Sequence, residues 1–156
     1  WFVDKVFPLI KKRIDIEFIV VGQNPSAKIK SLNCIDGIEV KGFVDDLEKY
    51  YANASVSIVP LQYGGGVKIK IIESLLMKVP LIVTEVSVDG IDCIDQKHLL
   101  IAKNEDEFAE AIMFFLQNED KANEIVENGY AFAKKEYDPI KVAKKYIDIY
   151  GNLIRK

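Results

Sequence analysis

Ser55-Val56-Ser57-Ile58-Val59-Pro60-Leu61-Gln62-Tyr63-Gly64-Gly65-Gly66-Val67-Lys68-Ile69-Lys70-Ile71-Ile72-Glu73 passes from a β-branched run, through a proline and three glycines, into a helical pattern. Ser55–Val59 reads as a strand closed by Pro60, and Val67 to Met77 as a helix. Consecutive glycines let a backbone approach a ligand closely. A helix starting just after them aims unpaired N–H groups and a partial positive charge outward, which suits phosphate. Read by themselves, the glycines fit a plain flexible surface loop better than a ligand cradle. Their spacing is neither a Walker A loop nor the dinucleotide fingerprint. Glu73, set among Ile71, Ile72, Leu75 and Leu76, has two readings as well: a carboxylate satisfied by ribose hydroxyls, or half of a solvated i,i+3 pair with Lys70. By itself the ion pair is the better of the two. Lys68 and Lys70 are either surface cations or partners of a diphosphate.

Working outward, the same alternation recurs. Residues 1–13 read as a helix, with Phe2, Val6, Leu9 and Ile10 on one face and Pro8 in its middle. Ile16–Val21 reads as a buried parallel strand closed by Gly22, and Ile38–Lys41 as a second strand ending at Gly42. Asp45 and Asp46 open a short helix through Tyr51. Further strands are expected at Leu81–Thr84 and Leu99–Ile101. From Asn104 the pattern is helical only: a helix capped by Asn104 and Glu107, another over 119–136, and a last one over 139–156 with Gly151 as a break point. Strands alternating with helices predict an α/β fold, a parallel sheet with helices on both faces and a helical C-terminal segment. Ligands of such sheets bind beyond the carboxyl ends of the strands, here Gly22, Gly42-Phe43-Val44, Pro60–Gly66 and Thr84-Glu85. No linker or repeat divides the chain, so residues 1–156 are expected to form one domain.

Composition narrows the class. Of 156 residues, 49% are hydrophobic and 29% charged, with a net charge of −3 and no basic stripe, which argues against a nucleic-acid partner. His98, Cys34 and Cys93 show no metal-ligand spacing, so no metal site is expected. The cysteines read as small core residues of a reduced, cytoplasmic protein. No apolar run approaches the ~20 residues that span a bilayer. The basic and apolar pattern of 139–156 suits either a membrane surface or ordinary packing, and ordinary packing is the better fit.

Taken in order, these segments resemble one family. Pro60-Leu61, Gly64-Gly65-Gly66-Val67-Lys68-x-Lys70-x-x-Glu73 and Pro80-Leu81-Ile82-Val83-Thr84 resemble the donor-site signature of family-four (group 1) glycosyltransferases of the GT-B type. Phe18–Gly22, Ile38–Asp46, Tyr50–Pro60, Asp89-Gly90 and Phe108–Ile112 resemble further segments of that family, so nearly the whole chain is covered. The resemblance implies the Rossmann-like, nucleotide-sugar-binding half of a GT-B enzyme. It implies retaining, metal-independent transfer of a sugar from a nucleoside-diphosphate donor, which is substrate and not cofactor. Glu73 would bind the ribose, and Gly64, Gly65, Gly66 and Val67 would face the diphosphate or sugar. Lys70 would be a phosphate partner, Phe43 and Val44 would border the base, and Gly22 would close the first strand at the site. Many members carry a second glutamate eight residues before the position of Glu73, where this chain has Gly65. The resemblance also implies that the family's opening strand and its N-terminal, acceptor-binding domain lie outside this chain, which would then be inactive alone. Any association with the inner membrane face would run through that other part. A sugar-nucleotide epimerase of the same architecture and a non-catalytic nucleotide-binding module remain the alternatives.

Overall fold

In the computed structural model, which describes residues 1–154, every strand pairing is parallel, but the strands form two sheets and not the single expected one. The first holds β1 (Phe18–Val21) and β2 (Ile38–Gly42). The second has the order β3-β4-β5, from β3 (Ser57–Val59), β4 (Leu81–Thr84) and β5 (Leu100–Ala102). The helices are α1 (Phe7–Lys11), α2 (Ala27–Lys30), α3 (Leu47–Asn53), α4 (Ile69–Leu76), α5 (Glu105–Gln117), α6 (Glu119–Glu136) and α7 (Pro139–Ile154). The α/β class and the helical C-terminal segment are as the sequence predicts.

β4 is the centre of the second sheet, and its pattern shows why both faces must be covered. Ile82 packs with Leu100, Ala102 and Phe108 on the side of α1 and α5, while Leu81 and Val83 pack with Ile71, Leu75 and Ala133 on the side of α4 and α6. Alternate side chains leave a strand on opposite faces, so an unbroken apolar run needs helices on both. β1 differs. The sequence reading makes it a buried strand, yet Ile19 is 42% exposed. Among the described residues β1 pairs with β2 alone and β3 with β4 alone, so the facing edges of the two sheets are unpaired. A cavity of about 970 Å³ lies between them, lined by Phe2, Ile10, Phe18, Val56 and Ile58 among others.

Local chemistry accounts for the element boundaries. Pro8 has no N–H to return to Asp4, so residues Phe2–Val6 widen into a π-helical turn in which the Phe7 N–H bonds the Phe2 carbonyl. Regular helix then runs only to Lys11, short of the expected residue 13. Asp46 caps α3 by accepting from the Lys49 N–H at 3.1 Å. Asn104 and Glu107 cap α5 reciprocally, the Glu107 N–H bonding Asn104 Oδ1 and Asn104 Nδ2 bonding Glu107 Oε1, both at 2.9 Å. The helix α2, capped by Ser26, and the 3₁₀ turns Ser31–Cys34 and Glu85–Val88 are absent from the sequence reading because they are too short to show a period.

Three further expectations are corrected. Cys34 is exposed in its 3₁₀ turn and is not a core residue. Helix α7 runs through Gly151 without a break, since a lone glycine costs a helix only about 1 kcal/mol. Most of its described apolar side chains are exposed, with Ile140, Ile147 and Leu153 at 80%, 69% and 64%, so among the described residues this face is not covered by ordinary packing within the chain. Residues 155 and 156 of the expected helix lie outside the described residues.

Helix α6 is seated on the segment before β5. A Cβ on Gly129 would lie 2.4 Å from the His98 carbonyl oxygen and 2.8 Å from Leu75 Cδ2. Gly129→Ala is therefore expected to destabilise by about 1–3 kcal/mol in urea unfolding, because overpacking against backbone outweighs the ~1 kcal/mol helix preference for alanine. His98 itself is buried, stacks on Phe132 at 4.6 Å, and accepts the Ile94 N–H on Nδ1 at 3.1 Å. Burial, and then the neighbouring Lys97 charge, lower its pKa from the ordinary 6.5. A base with a depressed folded pKa binds its proton more readily when unfolded, so stability should fall as pH drops below 6.5 and level off under the folded value. His98 is the only histidine, and carboxylates titrate lower. Melting temperature should thus decline between pH 7.5 and 5.5, and His98→Phe should flatten that decline; an unchanged slope would contradict this.

Candidate functional site

The site is built where β3 and β4 end. After Val59, the chain turns through Pro60 and Leu61 into the glycines, and α4 begins at Ile69 with Lys68 as its N-cap residue. Gly64 and Gly66 adopt φ of +131° and +76°, values that side chains resist, and the backbone around all three glycines is open to solvent. Val67 packs across to the turn that follows β4: a Cβ on Gly90 would meet Val67 Cγ2 at 3.3 Å.

Hydroxyl groups tie these loops to the sheet. Thr84 Oγ1 donates to the Leu61 carbonyl, contacts Ser87 Oγ at 2.7 Å, and Ser87 Oγ reaches the Val59 carbonyl at 2.7 Å. Two hydroxyl protons serve three contacts, so any two of the three are bonded at once. Both side chains are buried, and together they fix the end of β3, the start of the glycine loop and the turn after β4 as one unit. On the other side of α4, Ser57 Oγ lies 2.9 Å from Ser74 Oγ, which donates to the Lys70 carbonyl at 2.8 Å. Either serine can donate in that pair.

Glu73 lies in the second turn of α4, half-buried, and lines the cavity between the sheets together with Lys70 and Tyr51. Among the described residues its carboxylate makes no hydrogen bond and no ion pair, so the solvated pair with Lys70 does not form. Burial pushes the Tyr51 phenol above its ordinary pKa; a bond to Ser74 opposes this, and the Glu73 charge adds to it. Lys70 is exposed, whereas Lys68 is buried with its ammonium on the Val86 carbonyl at 3.1 Å.

The structure does not gather every residue singled out in the sequence. Glu73 and Lys70 share the large cavity, and Gly64, Gly65, Gly66 and Val67 form the exposed loop before α4. Phe43, 67% exposed, lines a separate cleft of about 380 Å³ with Asn24, Pro25 and Gly42, and Val44 follows it in the loop to α3. Gly22 donates its N–H to the Gly42 carbonyl at 3.0 Å, extending the β1–β2 pairing. Ser87 and Tyr51 escaped the sequence reading as site residues, and Thr84 entered it only as the end of a strand.

The sequence model described as "Glycosyl transferases group 1" matches residues 1–118. A Klebsiella pneumoniae relative, an uncharacterized 44.6 kDa protein in a cps region, is 26% identical over 151 residues, covering 91% of this chain and 39% of its own length. Among solved structures, Anabaena HepE in complex with UDP and glucose superposes with a TM-score of 0.81 at 15% identity, over 96% of this chain and 43% of HepE. A glycosyltransferase from Rickettsia africae gives 0.80 at 19% identity, over 95% and 43%. The chain therefore spans about two fifths of the length of the proteins it matches. At these identities the solved structures establish a shared fold, while the match over residues 1–118 establishes descent: the chain belongs to the group 1 glycosyl transferases.

Proposed function

We propose that this chain is the donor-binding part of a glycosyltransferase, holding a nucleoside-diphosphate sugar while the sugar passes to an acceptor bound by another part of the same protein. The observation that carries this reading is Glu73, a half-buried carboxylate with no hydrogen-bond or ion-pair partner among the described residues, facing a cavity in a helix that follows three glycines. A carboxylate at the wall of a cavity can accept hydrogen bonds from a ligand there, and the adjacent hydroxyls of a ribose supply them. The first N–H groups of α4 point to where the leaving diphosphate gains charge in the transition state, which is where electrostatic stabilisation accelerates transfer. Family membership and the UDP and glucose bound to HepE support the donor class. The Klebsiella relative's place in a cps region supports a role in polysaccharide synthesis. Retention of configuration, metal independence and a cytoplasmic setting extend the same proposal from the family resemblance.

The open seam between the sheets fits this reading. We propose that it seats a parallel strand supplied by polypeptide ahead of residue 1 in a longer protein. Two unpaired edges face each other across an apolar cavity, and the helical residues 2–11 line it and lead into β1, as the crossover of a βαβ unit does. In that longer protein, amide exchange at β1 and β3 should be slower than in residues 1–156 alone. Equal exchange rates in the two would contradict the strand.

The donor reading is tested by calorimetric titration of the longer protein with UDP, GDP and ADP, beside Glu73→Ala. One nucleotide should bind saturably, with affinity falling about tenfold or more in the variant, as loss of a charge-assisted hydrogen bond requires. Unchanged affinity would remove the ribose contact and favour a non-catalytic module. Binding without transfer of the sugar to any acceptor would favour an epimerase.

A further inference from the structure

We propose that Thr84 is a positioning residue: its hydroxyl holds the glycine loop in the shape that binds, and so sets the affinity for the donor without touching it. The inference rests on the nucleotide-sugar reading above. Thr84 is 7% exposed, and its hydroxyl is spent on protein oxygens, the Leu61 carbonyl and Ser87 Oγ. It is also the last residue of β4, where it pairs with Ala102 of β5. The start of the glycine loop is thereby tied to the strand at the centre of its sheet.

Both ends of that loop stand on the turn that follows β4. At its start, Leu61 is held by Thr84. At its end, the Lys68 ammonium bonds the Val86 carbonyl at 3.1 Å, and Val67 packs on Gly90. Between the two ends, a Cβ on Gly64, Gly65 or Gly66 would meet nothing within 4 Å, and Gly64 and Gly66 adopt φ of +131° and +76°. Glycine loses more backbone freedom on ordering than any other residue, so the shape of this stretch has to come from its ends. With one end released, the binding-competent shape becomes a smaller fraction of the ensemble, and apparent affinity falls by that fraction. Ser87 differs. It reaches the Val59 carbonyl at the end of β3, a residue whose place the sheet already fixes through its pairing with Val83. The two buried hydroxyls belong to one network, yet only that of Thr84 reaches the loop.

The test uses the longer protein and whichever of UDP, GDP and ADP it binds, titrated below the melting temperature of each variant. Thr84→Val keeps the side-chain shape and removes the hydroxyl. It should weaken binding about threefold or more, and speed amide exchange at Gly64–Val67 in the free protein. Thr84→Ser should restore most of both. Ser87→Ala should cost less affinity than Thr84→Val, whatever it does to the melting temperature. Should Thr84→Val fail to fold, Thr84→Cys, a weaker donor at the same place, replaces it and should lose affinity in the same direction. Unchanged affinity in the Thr84 variant overturns the inference, whether or not its melting temperature falls, because the residue is then structural only. So does an equal or larger loss in Ser87→Ala, or no recovery in Thr84→Ser. A wild-type protein that binds none of the three nucleotides overturns the donor reading, and this inference with it.

Discussion

A parallel strand has to satisfy two edges and cover two faces, and β4 is where this chain meets all four demands. It pairs with β3 and β5, its four residues are buried, and its alternate side chains enter both apolar clusters. Everything near the candidate site hangs from that strand. Its last residue, Thr84, holds the start of the glycine loop, and Ser87 just beyond it holds the end of β3. Position is thereby transmitted from a rigid core to loops that are otherwise open to solvent. Surface ion pairs such as Lys78–Glu127 contribute little by comparison, since exposed pairs are worth about 0–1 kcal/mol.

The contrast with β1 explains the uneven burial of the molecule. β1 carries the same β-branched chemistry as β4 but has one sheet partner, and its outer residues face a cavity instead of a neighbour. The apolar face of α7 is left open in the same way. Both features leave apolar surface uncovered in a chain that spans about two fifths of the length of the proteins it matches (39% of the Klebsiella relative). The candidate site borders the same cavity through Glu73 and Lys70. On the proposed reading, completing the sheet and completing the site are therefore one structural event.

Much of this was legible in the sequence because periodicity and caps are local. The strands at Leu81–Thr84 and Ile38–Gly42 and the helix Glu119–Glu136 stand where apolar spacing places them. The Asn104–Glu107 cap forms as its spacing predicts. What was not legible depends on neighbours that a one-dimensional pattern cannot name. The division into two sheets is not signalled by any residue of β1, whose run reads like that of β4. The difference between Lys68 and Lys70, two residues of one type in one short segment, is set by the Val86 carbonyl eighteen residues away. The Glu73–Lys70 pair was reasonable from spacing alone, yet the two side chains line the same cavity without pairing.

The most direct test of the central claim, that a nucleoside diphosphate binds at the carboxyl end of β3 and β4, is amide chemical-shift mapping. Isotope-labelled longer protein would be titrated with the nucleotide that it binds. The account predicts the largest shifts at Gly64–Lys68, in the first turns of α4 through Glu73, and at Val86–Gly90. Shifts confined to the cleft of Phe43 and Gly42, or scattered away from the glycine loop, would contradict it.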